Sequence, residues 1–553
     1  MKDIINKARS FRHNIKQNGI KTQIRRIKNY IKHKKAVLDE YEEWMLLNEP
    51  KTEKLAKQKD SKLVLNTKFT IISSDKRIKE KIQNQTYSNY EIKILESKNY
   101  YENIKKIDGD YCIFIGKDIK LLPFTLYEIA SFIECNECNL IYADNDYIQE
   151  GKRVEPEFKP HFAYDNILSK NYFGNFIVVK TKFLQENRSI LKNINELETI
   201  YNIILRTVEK TKRIMHIDKV LFSKEKEEIY EEEQIKVIEE YLNNKKISYD
   251  NVQKGKFEGQ YKINYSIVGE PKISIIIPNM DHAEDLDIAV QSILKSTYLN
   301  YEIIIVENNS KKEETFKYYD KIKKQDTRIK VEEMQINEFN YSKIVNFGVS
   351  RSEGEYIVLL NNDIEVITTD WLEQMLMYVQ RKGVGMCGVK MYFSDRTIQH
   401  AGVTIGIRGL AGHKYRELPE EQFGKKDSIN YVQNLSAVTA ACCMVSKKNY
   451  EKLLGFDEKL AVAFNDIDFC LKIRKEKLLI VYNPFVELYH YESKSRGQDD
   501  TKEKQKRFAK EYGLFVKRWA KTIQKLDPYF NINYRLDTDI PTINYNKIER
   551  EEI

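Results

Sequence analysis

Three polar side chains at the end of one short apolar run are the first residues here that could carry chemistry. The run EYIVLLNNDIEV (Glu355–Val366) passes from aliphatic residues into Asn361, Asn362 and Asp363, and then an apolar pattern resumes. Such a run is typical of a strand that is buried on both faces and delivers its last residues to a cleft. An aspartate there can bind Mg²⁺ or Mn²⁺ and link the ion to phosphate oxygens, although a lone aspartate is more often a solvated turn residue.

Three other acidic residues, in two motifs, could have either a chemical or a structural role. Glu307 ends a second apolar run (Tyr301–Val306), where its carboxylate could accept the N3–H of a uracil or thymine ring. Asp466 and Asp468 lie in AFNDIDFCLKIR (Ala463–Arg474), at the start of an amphipathic helix. Either aspartate could be an N-cap, and Asp466 could instead be a general base that is ionised at neutral pH.

A histidine and an arginine near the end of the second half complete the set of candidates. His490 follows a strand-like run in ELYHYESKSRG (Glu487–Gly497). Histidine is a good ligand for Mn²⁺ and a competent acid or base, whereas a lone histidine is more often structural. Arg496 could pair with phosphate. By contrast, Cys135 and Cys138 form a single pair without a partner pair, which argues against a zinc or redox site.

The elements that must position these residues alternate between strands and helices. Predicted strands are Lys272–Ile277, Tyr301–Val306, Glu355–Leu360 and Gly383–Val389, and predicted helices are Ala283–Lys295, Tyr341–Val349 and Trp371–Arg381. This order predicts an α/β fold with a parallel, doubly wound sheet, whose ligands bind beyond the carboxyl ends of the strands. Three polar strand ends should therefore meet at one cleft: Pro278–Asp281, Glu307–Ser310 and Asn361–Asp363.

The sequence contains an internal repeat. QTYSNYEIKILES (Gln85–Ser97) matches STYLNYEIIIVEN (Ser296–Asn308), and GDYCIFIGKDIKL (Gly109–Leu121) matches GEYIVLLNNDIEV (Gly354–Val366). The collinear order predicts a duplicated domain, which suits a chain of 553 residues. The expected segments are a basic helical N-terminus (1–60), a first domain (61–225), a charged helical linker (226–270), a second domain (271–500) and a helical extension with a tail (501–553).

The basic character of the chain is confined to its N-terminus. Residues 1–35 have a net charge of +11, whereas the whole chain has a net charge of +9. The remaining residues therefore sum to −2. Apolar residues recur there at helical spacing, which predicts two amphipathic helices that either lie on anionic lipid or pack on the next domain. The segment shows no interleaving of aromatic and basic residues of the nucleic-acid-binding kind and no known module, which argues against nucleic acid. No apolar run approaches the roughly 18 residues of a membrane span, the N-terminus does not resemble a secretory signal, and seven cysteines without framework spacing suit a reducing cytosol. A cytoplasmic location is therefore expected, with peripheral contact to the inner face of the cell membrane as an option.

Taken together, the motifs resemble the inverting family-2 glycosyltransferases, which have a GT-A fold. KISIIIPNMD resembles the opening strand, IIIVENNS the strand at the nucleotide base, and FNYSKIVNFGV the helix beside the donor. LLNNDIEV resembles the metal-binding motif, FNDIDFCL the catalytic-base motif, and LYHYESKSRG the late metal-binding histidine. The pattern is similar to tandem-domain bacterial enzymes of the rhamnosyltransferase kind, and it implies two Rossmann-like GT-A domains in tandem.

The resemblance also implies roles for individual residues. Asp466 would be the catalytic base, and Asp363 and His490 would hold a divalent cation, Mn²⁺ or Mg²⁺, on the diphosphate. Asn361 replaces the first aspartate of the usual motif, so metal binding rests on fewer carboxylates. The implied donor-binding residues are Pro278, Asp281, Glu307, Asn308, Asn340, Asn346, Asn361, Asn362 and Arg496.

The expected activity is transfer of a sugar, with inversion, from a nucleoside-diphosphate donor to a hydroxyl of a growing surface glycan or lipid-linked saccharide. dTDP-rhamnose is the expected donor, and UDP-galactofuranose or a UDP-hexose is the alternative. A non-catalytic glycan-binding scaffold stays open as a different class. The discriminating observation is that the second copy keeps Asp363, Asp466 and His490 together.

The first copy is expected to keep the fold without the chemistry. Gly116 and Lys117 replace the two amides, Ser223 is expected at the position of His490, and Asp118 alone persists. In the second copy, the loop Gln399–Tyr415 is expected to form a lid over the acceptor or the donor. Its candidate side chains are His400, Arg408 and His413.

Overall fold

The computed structural model describes residues 40–60, 66–94, 104–192, 200–225, 229–422, 427–492 and 501–544. The amphipathic helices expected in residues 1–35 lie outside these ranges, and so does Arg496.

The first half of the chain forms one mixed sheet. Its strands are β1 (Phe69–Ser73), β2 (Tyr90–Ile94), β3 (Tyr111–Ile115), β4 (Ile119–Leu121), β5 (Leu140–Gln149), β6 (Lys152–Glu157), β7 (Phe176–Lys180) and β8 (Ile214–Lys224). They lie in the order β2-β1-β3-β7-β5-β8-β4, and β6 pairs with β5.

The segment between the two large sheets is only partly helical. A helix covers Glu231–Asn244, and then β9 (Tyr249–Lys254) and β10 (Tyr261–Tyr265) form a separate antiparallel pair. The alternation of buried and half-buried residues along β10 explains the difference from the expected helical linker, because it has the period of a strand rather than that of a helix.

The second half forms a larger sheet with the same plan. Its members are β11 (Ile273–Asn279), β12 (Tyr301–Glu307), β13 (Ile329–Glu333), β14 (Tyr356–Leu360), β15 (Ile364–Val366), β16 (Val384–Tyr392), β17 (Ile398–His400), β20 (Gln433–Leu435), β21 (Cys442–Ser446) and β22 (Leu479–His490). The order is β13-β12-β11-β14-β21-β16-β22-β15. The strands β18 (Val403–Ile405) and β19 (Ala411–His413) form a hairpin of their own.

The two sheets share strand order and pairing sense. In the first sheet the three strands β2, β1 and β3 are parallel, and in the second sheet the four strands β13, β12, β11 and β14 are parallel. In both, one antiparallel strand follows, β7 or β21, and then a parallel pair, β5 with β8 or β16 with β22. The last strand of each, β4 or β15, is antiparallel to its neighbour. The fold is therefore α/β, as predicted, with mixed rather than wholly parallel sheets.

Helices cover both faces of the second sheet. The α-helices with described bounds are Thr52–Asp60, Ile78–Lys81, Thr125–Cys135, Tyr164–Ser169, Thr181–Glu186, Ile200–Lys210, Glu231–Asn244, Ala283–Ile293, Glu313–Gln325, Tyr341–Arg351, Trp371–Val379, Lys447–Lys452, Asn465–Lys475 and Lys502–Gln524. Successive residues of β11 point to opposite faces. Ile275 and Ile277 belong to one apolar layer with Trp371, whereas Ile276 belongs to the other layer with Ile344.

Polar contacts join the two halves of the molecule. Asp165 accepts hydrogen bonds from Arg381 and from the side chain of Asn434, both at 2.6 Å. The segment after the last helix contacts both halves, because Asp527 binds Ser436 at 2.7 Å and Asn531 binds Asp144 at 3.0 Å.

None of the helices in the described ranges is both long enough and apolar enough to cross a bilayer.

Candidate active site

Asp363 and His490 lie side by side at the edge of the second sheet. Strands β15 and β22 are antiparallel with Ile364 opposite His490, and this register brings His490 Nε2 to 3.2 Å from Asp363 Oδ1. Both residues are only 6% exposed. Within the described part of the chain, neither Asp363 Oδ1 nor His490 Nδ1 makes a hydrogen bond. Asp363 Oδ1 and His490 Nε2 thus face each other at the cleft.

These two side chains fit a divalent cation. Two neighbouring ligands of an octahedral ion, each about 2.1 Å from the metal, lie about 3 Å apart, which agrees with the observed 3.2 Å. Such an ion would also coordinate Asp363 Oδ1, which makes no hydrogen bond within the described residues. Asn361, which takes the place of a further carboxylate, has its Nδ2 atom 3.4 Å from His490 Nε2. The residues that would hold the ion are therefore Asp363 and His490.

Tyr341 is a member of this site that the sequence did not reveal. It is the first residue of the helix Tyr341–Arg351, and its hydroxyl donates a hydrogen bond to Asn361 Oδ1 at 3.2 Å. Burial, and then the nearby Cys443 thiol and the Asp466 carboxylate, raise its pKa well above the ordinary value. The hydroxyl therefore stays protonated while it contacts Asn361, which neighbours the predicted metal site.

The structure distinguishes Asp466 from Asp468. Asp468 is fully buried, and its Oδ1 accepts hydrogen bonds from Arg518 at 2.6 Å and from the indole of Trp519 at 2.8 Å. Asp466 is half-buried, and within the described ranges its two oxygens accept the backbone N–H groups of Ala440 and Ile467. Asp466 can therefore meet a substrate, whereas Asp468 anchors the helix Lys502–Gln524.

A strained turn orients Asp466. Phe464 precedes the helix Asn465–Lys475 with φ of +64°, a left-handed conformation that is uncommon for a bulky residue. Its ring stacks on Phe515, with ring centroids 5.0 Å apart. Packing on the helix Lys502–Gln524 thus holds the turn that starts the helix of Asp466.

Glu307 and Asn362 belong to one buried hydrogen-bond chain. Asn362 donates to Asn279 at 2.7 Å, Asn279 donates to the hydroxyl of Tyr319 at 2.8 Å, and this hydroxyl donates to Glu307 at 2.5 Å. Ser310 adds its backbone N–H and its hydroxyl to the same carboxylate, each at 2.6 Å. A carboxylate has about four acceptor sites, and the described residues fill three of them on Glu307. Its contact with the N3–H of a pyrimidine stays a prediction.

The other predicted donor residues at these strand ends stabilise loops. Asp281 has φ of +60° and accepts the backbone N–H groups of Lys311 and Lys312 at 2.7 and 2.8 Å. Asn308 is 2% exposed and donates to the carbonyl of Met334 at 2.9 Å. Pro278 lies within β11, beside β12.

Asn340 and Asn346 fasten the helix Tyr341–Arg351 to the rest of the domain. Asn340 is its N-cap and accepts the Lys343 N–H at 3.0 Å. Asn346 Oδ1 accepts from Tyr450 and from the backbone of Phe456, and its amide group donates to the carbonyl of Phe456 and to Glu458. The amide of Asn346 is thus fully used by protein partners, and its predicted role at the donor stays a prediction.

Two residues of the expected lid lie close to the site, and one does not. The Nδ1 atoms of His400 and His413 are 3.0 Å apart. Burial lowers the pKa of both imidazoles below their usual range. Asp466 raises the pKa of His413, whereas His490 lowers the pKa of both histidines further. Arg408 instead forms an ion pair with Asp539 at 2.7 Å, so it contacts the C-terminal segment rather than the cleft.

The first sheet places a different residue at the position of His490. Lys224 lies opposite Ile119, just as His490 lies opposite Ile364, and Ser223 lies opposite the next residue of β4. The expectation that Ser223 occupies the histidine position is therefore wrong. Asp118 is contacted by the amide of Asn175 at 3.2 Å. An ammonium group takes the place of a metal-binding imidazole in this half.

Comparisons with known proteins agree with the motifs of the second half. Residues 274–454 match the family model described as glycosyl transferase family 2. An uncharacterized protein y4gI of Sinorhizobium fredii is 36% identical over 446 residues, which are 78% of this chain and 49% of that protein. The O-antigen biosynthesis protein RfbC of Myxococcus xanthus is 31% identical over 442 residues, or 76% of this chain and 34% of that one. The chain thus spans half or less of the length of these relatives.

Solved structures resemble the chain more distantly. GalNAc-T7 with UDP, GalNAc and Mn²⁺ matches with 15% identity and a TM-score of 0.38, over 48% of this chain and 51% of that chain. The mannosyltransferase PcManGT of Pyrobaculum calidifontis, in complex with GDP-Man and Mn²⁺, matches with 14% identity and a TM-score of 0.33, over 48% and 68%. Scores of this size carry no argument about function.

Proposed function

Because the chain carries a family-2 glycosyltransferase domain, we propose that it transfers a sugar from a nucleoside-diphosphate donor to a hydroxyl group of a saccharide. The observation that carries the proposal is the grouping of Asp363 and His490 with Tyr341, whose pKa responds to both Asp363 and Asp466. The proposal assigns a metal site, a base and a neutral hydroxyl to one cleft.

Each residue of the cleft has a role in an inverting displacement. The oxygen of the acceptor hydroxyl attacks the anomeric carbon, and the bond to the diphosphate breaks. Asp466 accepts the proton of this hydroxyl at the same time. Asp363 and His490 would hold a divalent cation, which would supply positive charge where the departing diphosphate develops negative charge. Tyr341 keeps the Asn361 amide oriented beside that position.

The proposed donor is dTDP-rhamnose, and UDP-galactofuranose or a UDP-hexose is the alternative. Thymine and uracil share the N3–H that Glu307 would bind, so this contact does not separate them. The relative named for O-antigen biosynthesis supports a surface glycan or a lipid-linked saccharide as the acceptor. Hydrolysis of the donor, measured over a panel of dTDP-, UDP- and GDP-sugars, identifies the sugar.

The main test is replacement of the proposed base. Asp466→Asn keeps the shape of the side chain and removes its basicity, so transfer should fall by roughly 10²–10⁴-fold while nucleotide binding stays near normal. Turnover with the preferred donor and calorimetric binding of the nucleotide measure the two effects.

A surface aspartate of the same domain provides the control. Asp320→Asn changes a largely exposed side chain on the helix Glu313–Gln325 and should leave both measurements unchanged. Normal turnover of Asp466→Asn would show that the base is misassigned. Nucleotide binding without turnover of any donor by the unaltered chain would favour the non-catalytic scaffold instead.

The proposed location is the cytoplasm, with the cationic residues 1–35 resting on the inner face of the cell membrane. Removing these residues should reduce sedimentation with vesicles of anionic lipid, because each basic residue near such a surface contributes about 1 kcal/mol. Activity on a soluble acceptor should be kept. Equal vesicle binding by the shortened and the full chain would refute the membrane role.

A further inference from the structure

A second group of possible metal ligands lies in the first half of the molecule, away from both clefts. It consists of His161, in the loop after β6, and of His216 and Asp218 on β8, and among the described residues these ligand atoms lie within 4.8 Å of one another. In the register with β5, His216 lies opposite Tyr142 and Lys224 lies opposite Tyr147, because β8 is irregular between them. Five residues of a strand span roughly 16 Å. The group is therefore separate from the strand ends discussed above.

The spacing of the three ligand atoms suits a tetrahedral ion. His216 Nδ1 lies 3.0 Å from Asp218 Oδ1, and His161 Nε2 lies 3.6 Å from the same oxygen. Two ligands that are each about 2.0–2.1 Å from a tetrahedral Zn²⁺ are about 3.3 Å apart. The observed separations lie on either side of this value, so small side-chain rotations would close the site.

The buried nitrogen of His216 points toward the proposed ion. The side chain of His216 is 1% exposed, and its Nδ1 atom completes no hydrogen bond within the described ranges. Its other ring nitrogen, Nε2, lies 2.8 Å from Asp144 Oδ1. A metal-binding histidine usually donates its second N–H to a carboxylate, which fixes the ring and leaves the first nitrogen free to bind.

The carboxylate of Asp144 is itself held in place. It accepts the backbone N–H of Lys159 at 2.8 Å and the amide groups of Asn531 and Asn533 at 3.0 and 3.3 Å. Asp144 is fully buried. The orientation of the His216 ring is thus set by β5 and by the C-terminal segment together.

We propose that His161, His216 and Asp218 bind one Zn²⁺ ion, with water as the fourth ligand. Two imidazoles and one carboxylate are a ligand set that Zn²⁺ accepts, with one position left open. The ion would tie the loop of His161 to β8 and, through Asp144, to the segment that carries Asn531.

A salt-bridged cluster without metal is the competing explanation. Burial lowers the pKa of His216, but Asp144 and Asp218 outweigh it and raise the pKa to about 9. A protonated ring between two carboxylates would be a stable arrangement without any ion. The two explanations differ in whether the purified chain retains a metal ion.

Cobalt provides a direct probe, because four-coordinate Co²⁺ absorbs visible light and replaces Zn²⁺ readily. The metal-free full chain is titrated with Co²⁺ in the absence of nucleotide, and one equivalent should bind and be displaced by Zn²⁺. His161→Ala should abolish the signal, and His161→Cys should restore it, because a thiolate is also a zinc ligand. His161 has a side chain that is 57% exposed, so these changes should leave the fold intact.

Two variants separate this site from other histidines and from the proposed active site. His282→Ala removes a half-exposed histidine of the second half and should leave the Co²⁺ signal unchanged. Asp363→Ala should also keep the signal while it lowers sugar transfer. No Co²⁺ binding by the unaltered chain, an unchanged signal in His161→Ala, or loss of the signal in Asp363→Ala would each overturn the proposal.

Discussion

Tyr341 connects the two chemical groups of the cleft at the scale of single residues. Its hydroxyl donates to Asn361, whose amide nitrogen lies beside His490, so the orientation of Asn361 depends on a residue outside the strand-end motif. We infer that Tyr341 positions the amide next to the metal site and takes no proton during transfer, since its pKa is far above neutrality.

Replacing Tyr341 by phenylalanine tests this positioning role. Tyr341→Phe keeps the ring and removes one hydrogen bond worth about 0.5–1.5 kcal/mol, so Mn²⁺ should bind the nucleotide complex roughly 2- to 10-fold more weakly. Titration of nucleotide binding against Mn²⁺ measures the change. Tyr450→Phe removes a similar hydrogen bond, to Asn346, and should leave the Mn²⁺ dependence unaltered. Identical behaviour of the two variants would refute the role of Tyr341.

Residue types at strand ends and helix starts could be predicted from sequence, but their partners could not. The pattern around Asp466 and Asp468 left both as candidates, and the choice depends on Arg518 and Trp519, which are about fifty positions away in the chain. Tyr319 escaped notice for the same reason, because one of two adjacent tyrosines in a charged helix gives no sign that it will reach Glu307.

At the scale of elements, the pairs β4–β8 and β15–β22 are the same structure with different chemistry. The misplacement of Ser223 shows why a sequence match is insufficient here. A shift of one residue along a strand turns every side chain to the opposite face, so only the observed pairing identifies Lys224 as the counterpart of His490.

This pairing predicts that the first cleft takes no part in metal-dependent transfer. An ammonium group about 4 Å from a divalent cation costs on the order of 8 kcal/mol at an effective dielectric constant near 20, so Lys224 should exclude Mn²⁺ beside Asp118. Asp118→Ala should leave transfer unchanged, whereas Asp363→Ala should lower it strongly. Calorimetry should find one Mn²⁺-dependent nucleotide site. Loss of activity in a folded Asp118→Ala variant, or two equivalent nucleotide sites, would refute this prediction.

At the scale of the whole molecule, the segment that follows the helix Lys502–Gln524 fastens the two halves together. Asp527 is buried and accepts hydrogen bonds from the hydroxyl of Ser436 and from the backbone of Ile405 and Tyr529. A few positions later Asn531 binds Asp144 of the first sheet. The sequence predicted an irregular tail here, because asparagine side chains that serve distant partners leave no periodic pattern.

Asp527→Ala should therefore weaken the molecule more than its place near the C-terminus suggests. The change leaves buried donors of the second half without a partner, and each costs about 1–3 kcal/mol, so the free energy of unfolding should fall by at least about 2 kcal/mol. Urea denaturation followed by tryptophan fluorescence measures it. Asp537→Ala, which removes an exposed partner of Arg535, should change stability by less than about 0.5 kcal/mol. Equal stability of the two variants would contradict the fastening role.

The position of this fastening segment also sets an order of events during synthesis. A chain leaves the ribosome from its N-terminus, and domains fold as they emerge, so both sheets can close before Asp527 and Asn531 exist. Until then the buried carboxylate of Asp144 lacks the amide donors that the finished chain provides. A chain that lacks these residues would consequently unfold more readily between its two halves, and proteases would degrade it faster than a chain that has them. Synthesis of Asp527 and Asn531 thereby completes the contacts between the two halves.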